Sequence, residues 1–308
     1  NGFVTILVNT GNGSFVSATT GAISTLRATH LAAGDFDNDG RDDLAIVDDF
    51  FDTVEILRSF SFFQDTPNFF QTSFQQIAYL NSGFFPAFTG IEAADIDNDN
   101  DVDLVLSNGD FGFGFNGGHI TVLRNSLDLG FGFGTAVFRT NGEPYGTFST
   151  GADDLVLDDF DGDLSVDVVV LSDTVRNGFT FMPNSGVGTH PSNSFTPSVA
   201  GLRSVTSGDV NGDGLPEVIA LSADSILVFN NPGGPVPAFA QIAVITTGEF
   251  NGADVVTGDF NDDGNLDIAV TDGSDSDDVI VSFGDGAGGF GFAQRFATGN
   301  TFSNQGAA

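Results

Sequence analysis

Five carboxylates crowd into nine residues at Asp35, Asp37, Asp39, Asp42 and Asp43, within GDFDNDGRDDLAIV from Gly34 to Val47, and an apolar segment follows at once. Like charges at this spacing repel, and Arg41 is the only base among them. A hard divalent cation would use such a run, since Ca²⁺ takes about six to eight oxygen ligands and alternate side chains of a tight loop can converge on one ion. On this chemistry Asp35, Asp37 and Asp39 supply side-chain oxygens, Arg41 a backbone carbonyl and Asp43 the closing carboxylate. Gly40 permits the sharp turn. The competing reading is a solvated acidic turn, and one copy does not decide between them.

The stretch recurs as ADIDNDNDVDLVLS from Ala94, DDFDGDLSVDVVVLS from Asp158, GDVNGDGLPEVIALS from Gly208 and GDFNDDGNLDIAVT from Gly258. The first Asp of each copy falls at 35, 95, 159, 209 and 259, so the later copies keep a period of 50 residues. An acidic composition does not scatter such a pattern by chance. An EF-hand begins similarly but needs an acidic twelfth position and flanking helices. Here position 12 is Ile46, Leu106, Val170, Ala220 or Val270, which excludes it, and dockerin-like modules fail on the period. Mg²⁺ fits less well than Ca²⁺, because it seldom uses an all-protein cage.

The elements that must position these loops read as strands. A short β-type segment precedes each copy, as at Thr29–Gly34 and Asp254–Gly258. Apolar strands follow at Leu44–Val47, Leu104–Ser107, Val168–Leu171, Val218–Leu221 and Ile268–Thr271. Third strands are placed at Thr53–Leu57, Ile120–Leu123, Phe179–Met182, Ile226–Phe229 and Val279–Phe283, and a Gly/Asn turn then leads to a fourth. No window keeps a helical period. Four short strands in a unit of about 50 residues match a β-propeller blade. The ends fit the same scheme: VTILVNTGNGSF from Val4 matches VIVSFGDGAGGF from Val279, whereas the tail TFSNQGAA lies where a first strand belongs. The expectation is one all-β domain over 1–308, a β-propeller of four-stranded antiparallel blades, about six in number. Five complete blades begin near residues 27, 88, 152, 202 and 252, and residues 1–25 with 299–308 form a composite closing blade.

These residues carry a family resemblance. The chain resembles the FG-GAP/VCBS-type repeat proteins, the calcium-loop propellers that include the integrin α-subunit head. The resemblance spans nearly the whole chain and implies Ca²⁺ in the loop between the first two strands of each blade, up to five ions in all. Carried over by position, it implies a second site at Asp95, Asp97, Asp99, Asp101 and Asp103, and a third at Asp159, Asp161, Asp163, Ser165 and Asp167. The fourth would use Asp209, Asn211, Asp213, Leu215 and Glu217, and the fifth Asp259, Asn261, Asp263, Asn265 and Asp267. Asn100 and Leu164 replace the turn glycine, and Leu164, with its Cβ at a position favouring positive φ, makes the third loop the expected weak binder.

Composition narrows the function. A net charge of −34, with 42 acids against 8 bases that are all Arg, argues against a nucleic-acid partner. There is no Cys, and no apolar run is long enough to span a membrane. His30, His119 and His190 fall in different repeats with no ligand spacing, and the Asn12–Ser14 sequon doubles as a hairpin turn. Most of the 34 Phe should pack between blades, but Phe60–Phe63 and Phe111–Phe115 lie in or beside the longest insertions and offer contact surfaces. The reading is an extracellular, processed, non-enzymatic module for adhesion or surface assembly, with a protein partner or its own copies. A lectin binding carbohydrate is the alternative, and a polysaccharide lyase on a calcium propeller stands third. The seam between the termini, where a second strand is missing, is expected either to recruit a strand from another chain and build filaments, or to be closed by the tail or by a longer parent chain.

Overall fold

The computed structural model describes residues 2–4, 7–9, 15–17, 23–25, 28–48, 53–61, 72–81, 88–108, 119–125, 143–147, 152–172, 178–186, 201–222, 224–235, 237–246, 252–272 and 278–297. Among them every regular element is a strand. At the N-terminus β1 (Gly2–Val4) pairs with β4 (Ile23–Thr25), and β2 (Leu7–Asn9) with β3 (Phe15–Ser17), both antiparallel. The hairpin expected from VTILVNTGNGSF is thus present in β2 and β3, with an outer pair added by β1 and β4. The tail 301–308 and the insertions 62–70 and 111–118 lie outside the described residues.

Five sheets follow, each an antiparallel meander in chain order. The first joins β5 (Ala28–Gly34), β6 (Asp43–Asp48), β7 (Thr53–Ser61) and β8 (Thr72–Asn81). The second joins β9 (Phe88–Ala94), β10 (Asp103–Asn108), β11 (His119–Leu123) and β12 (Glu143–Thr147). The third shows three strands among the described residues, β13 (Asp154–Asp158), β14 (Asp167–Ser172) and β15 (Gly178–Met182). The fourth has β16 (Leu202–Gly208), β17 (Glu217–Ser222), β18 (Ser225–Asn230) and β19 (Ala240–Thr246). The fifth has β20 (Gly252–Gly258), β21 (Asp267–Asp272), β22 (Asp278–Ser282) and β23 (Gln294–Ala297). This is an all-β propeller, and the sheets are its blades.

Strand alternation explains how the blades stack. Successive side chains of a strand point to opposite faces, so a strand apolar at every position can feed two cores. In β10, Leu104 and Leu106 pack toward the first blade with Ala45, Val47 and Ile56, whereas Val105 packs toward the third with Val168 and Val170. In β14, Val169 and Leu171 turn the other way and meet Phe179, Phe181 and Phe229 between the third and fourth blades. Ile219 and Leu221 of β17 continue the stack against Ile268 and Val270 of the fifth. Four apolar layers therefore lie between five successive blades.

The first strands of the blades, β5, β9, β13, β16 and β20, run beside one another as the inner wall. Polar side chains stitch them together. Val205 N donates to Asp154 Oδ2 at 2.9 Å, Ser204 Oγ to Asp254 Oδ1 at 2.7 Å, and Thr257 Oγ1 to the Ser207 carbonyl at 2.7 Å. From the end of each inner strand the chain enters an acidic loop before the second strand, so all five loops lie at one end of the inner wall.

Candidate metal centres

Each loop is shaped by its own carboxylates. The first Asp accepts backbone N–H bonds from the fifth and sixth residues. For Asp35 these come from Asp39 at 2.9 Å and Gly40 at 2.7 Å, and for Asp95 from Asp99 at 3.0 Å and Asn100 at 2.8 Å. The same bonds bind Asp163 and Leu164 to Asp159, Asp213 and Gly214 to Asp209, and Asp263 and Gly264 to Asp259. The fifth residue in turn accepts from the seventh: Arg41 N donates to Asp39, Asp101 N to Asp99, Ser165 N to Asp163, Leu215 N to Asp213 and Asn265 N to Asp263, all at 2.8–3.1 Å.

Two left-handed residues per loop make this winding possible. At the sixth position φ is +84° for Gly40, +90° for Gly214 and +87° for Gly264, and Asn100 (+70°) and Leu164 (+72°) take the same conformation. The fourth position is left-handed as well, in Asn38, Asn98, Gly162, Gly212 and Asp262. Apart from glycine, Asn and Asp tolerate this region best, and Leu164 adopts it at the cost of steric strain while its side chain stands 87% exposed. The third loop nevertheless closes with the same bonds as the others.

The closing acids behave differently from the rest. Asp43, Asp103, Asp167, Glu217 and Asp267 are fully buried. One oxygen of each of the last four accepts the N–H of the second loop residue: Ile96, Phe160, Val210 and Phe260 donate at 3.0–3.2 Å. The other accepts an N–H just past the third strand, from Asn125 (2.6 Å), Asn184 (2.7 Å), Asn231 (3.3 Å) and Gly284 (2.9 Å), and Ser59 N donates to Asp43 in the same way at 2.7 Å. Burial pushes the Asp43 carboxyl up to about 6 and those of Asp103, Asp167 and Glu217 up to about 7, against the pull of these N–H donors.

In each of the first three loops three of the predicted ligands converge, whereas among the described residues the fourth and fifth loops bring no three carboxylates together. Carboxylate oxygens of Asp35, Asp37 and Asp39 lie within 4.8 Å of one another, as do those of Asp95, Asp97 and Asp99, and those of Asp159, Asp161 and Asp167. In the fourth loop Asn211 Nδ2 donates to Asp213 Oδ2 at 3.0 Å and to Glu217 Oε1 at 2.9 Å. In the fifth, Asn261 Nδ2 donates to Asp263 Oδ2 at 3.0 Å. The fit to a hard cation is direct: every donor is oxygen, and Asp37 Oδ1, Asp43 Oδ2 and Asp97 Oδ1 are buried with no hydrogen-bond partner. Burial foremost, then neighbouring carboxylates, raises the pKa of Asp99 and Asp161, as expected of acids gathered without their counter-ion.

Sequence reasoning missed two sets of residues around the loops. Arg58 pairs with Asp37 and Asp39, and Arg124 Nη1 lies 3.2 Å from Asp97 Oδ2. Asn125, Asn184 and Asn231 also donate through Nδ2 to the carbonyls of Phe36, Ile96 and Phe160, at 2.8, 2.6 and 2.8 Å, each reaching back into the loop of the preceding blade. Their recurrence after the third strand, in LRNS, MPNS and FNNP, was the available signal. Among the histidines, His30 and His119 lie in β5 and β11, and His190 lies outside the described residues.

Comparison with known proteins agrees with the propeller fold. The FG-GAP-like repeat family matches residues 1–46, 159–220 and 209–270, together just over half of the chain. No curated protein sequence matches significantly. Among solved structures, an Agrocybe aegerita lectin described for specific recognition of non-reducing terminal N-acetylglucosamine superposes with a TM-score of 0.58 at 17% identity, covering 95% of this chain and 74% of that one. The Dos1 propeller superposes with a TM-score of 0.47 at 15% identity, covering 82% of this chain and 56% of that one.

Proposed function

The chain belongs to the FG-GAP-like repeat family, and on that premise we propose that it is an extracellular, calcium-stabilised β-propeller acting as a binding or surface-assembly module. The observation that carries the reading is the recurrence of oxygen-only loops at the blade entrances, three of which bring three carboxylates within 4.8 Å of one another. When bound, Ca²⁺ supplies positive charge to each carboxylate set and ties the first strand of a blade to the second. The chain's own part is to prepare the site. Asp35 and its counterparts wind the loop, in the first two loops the acids at the third and fifth positions face one another, and the buried closing acid anchors the loop to the third strand. With the loops committed to holding hairpins, binding and assembly, not catalysis, is the proposed activity, and the side of the propeller that meets the partner is separate from the staples.

Carbohydrate recognition is the second reading, favoured by the likeness in fold to the Agrocybe aegerita lectin. A glycan array probed with and without Ca²⁺ separates it from protein-mediated assembly: selective retention on terminal sugars supports the lectin, and none leaves assembly.

The calcium reading is tested by melting the full chain with Ca²⁺ and with excess chelator. An ion bound only by the folded loop adds RT ln(1 + [L]/Kd), about 2.7 kcal/mol per site at 100-fold excess over Kd. The melting temperature should fall markedly in chelator, and Mg²⁺ should restore little of it. Identical curves in the two buffers would refute calcium stabilisation.

A further inference from the structure

We propose that Arg58 and Arg124 are built-in counter-ions of the first two loops, so that Ca²⁺ is held tightly by the third, fourth and fifth loops and only weakly by the first and second. The inference rests on the reading of the loops as calcium sites and adds which of them depend on the ion.

Register places the two arginines equivalently. Leu57 pairs with Leu44 and Leu123 with Leu104, each one residue past the closing acid, and the next residue on the third strand is Arg58 or Arg124. At the same place the later blades carry Pro183, after Met182 opposite Val168; Asn230, after Phe229 opposite Val218; and Phe283, after Ser282 opposite Ile268. The position therefore faces a loop in every blade, but only the first two blades put a permanent positive charge there.

In the first loop the charge lies among the predicted ligands. Arg58 Nε meets Asp37 Oδ2, and Arg58 Nη2 is 2.9 Å from Asp39 Oδ2, which Arg41 also contacts. The Arg58 side chain is 19% exposed and that of Asp37 only 1%, so the pair is withdrawn from water and weakly screened. A divalent ion entering here must displace the guanidinium and then lie beside it. In the second loop Arg124 pairs with Asp97 and its side chain is 34% exposed, so this pair is more open to water than that of the first loop. The third loop gathers Asp159, Asp161 and Asp167 opposite an uncharged proline. In the fourth loop the neutral amide of Asn211 bridges Asp213 and Glu217, and in the fifth that of Asn261 meets Asp263, and neither amide brings an opposing charge. The order of affinity thus follows the residue after the third strand, not the turn glycine, and Leu164 does not make its loop the weakest.

The test counts Ca²⁺ bound to the full chain by calorimetric titration and native mass spectrometry, in the wild type and in the double variant R58Q/R124Q. The wild type should show a tight phase of three ions. The variant should gain two more, with binding to the first two loops roughly tenfold tighter or better, as removal of a nearby like charge implies. Five equivalent ions in the wild type, or no added tight binding in a folded variant, would overturn the proposal while leaving the calcium reading intact. Absence of bound Ca²⁺ from both proteins would instead remove the calcium reading and this inference with it. Should the variant fail to fold, the wild-type count of three against five still decides.

Discussion

At the scale of single residues, an acid at the end of an acidic motif serves the backbone first. Asp103, Asp167 and Glu217 are buried and spend both oxygens on N–H donors from two different elements, so each ties a loop to the exit of the third strand. The asparagines that donate those N–H groups use their side chains to reach the previous blade. Asn231 is fully buried, and its Nδ2 donates to the carbonyls of Phe160 and Pro216 at 2.8 and 2.9 Å. Asn231→Ala leaves two buried carbonyls without a donor, and at about 1–3 kcal/mol for each unsatisfied group the variant should lose about 2–6 kcal/mol of stability. Urea unfolding should show a lower midpoint at unchanged slope. A midpoint equal to wild type would mean that water replaces the amide at no cost.

Among the elements, the inner strands carry the most unusual electrostatics. Glu92 of β9 projects where solvent enters, yet protein surrounds its carboxyl, and burial foremost, then Asp154 of β13 and Asp254 of β20, pushes its pKa from 4.5 up to about 7. Burial likewise drives Asp154 up to about 7 despite N–H bonds from Val205 and Leu155. An acid whose folded pKa lies above its unfolded value binds protons more tightly when folded. The stability linked to Glu92 is thus fully present below pH 4.5 and lost as pH rises through about 7. Glu92→Gln should therefore melt higher than wild type at pH 8 and equally at pH 4.5. Because solvent reaches the group, the gain should be modest, roughly 2–4 °C. Scans of both proteins across this range in saturating Ca²⁺ measure it, and a constant offset would dismiss the inner-strand repulsion.

For the whole molecule, stability resides between the blades. Every interior blade supplies one face to each of two apolar layers, as Val168 and Val169 of β14 do, so losing one layer uncovers two sheets. The layer between the third and fourth blades is aromatic. Phe179 meets Phe229 and Phe239 edge to face at centroid distances of 5.1 and 5.4 Å, and Phe160 and Phe181 complete the cluster. Phe179→Ala should cost about 3–5 kcal/mol and still unfold in a single transition. Calorimetry checks both, and two resolved transitions would show that the blades fold as separate units.

The repeat, the strand positions and the acidic loops were legible in one dimension because each is set by near neighbours. A strand needs a run of Val, Ile and Phe, and a loop of nine residues closes on its own carboxylates, so Leu104–Ser107 and Asp103–Asn108 nearly coincide as expectation and observation. Phe179, Phe181 and Phe229 lie between blades as the abundance of Phe suggested, whereas the Phe-rich insertion Phe111–Phe115 lies outside the described residues. The tertiary structure decided which charges meet. Asn231 reaches Phe160 across 71 residues and Asn125 reaches Phe36 across 89, and Arg58 faces Asp39 only because the meander folds its strand back over the loop. No local rule specifies such pairs. They follow from blade stacking and strand register, which bring distant residues together once the apolar faces are buried, and so loops that look alike in sequence carry different neighbours: Arg58 and Arg124 beside the first two, Pro183, Asn230 and Phe283 at the same place in the others.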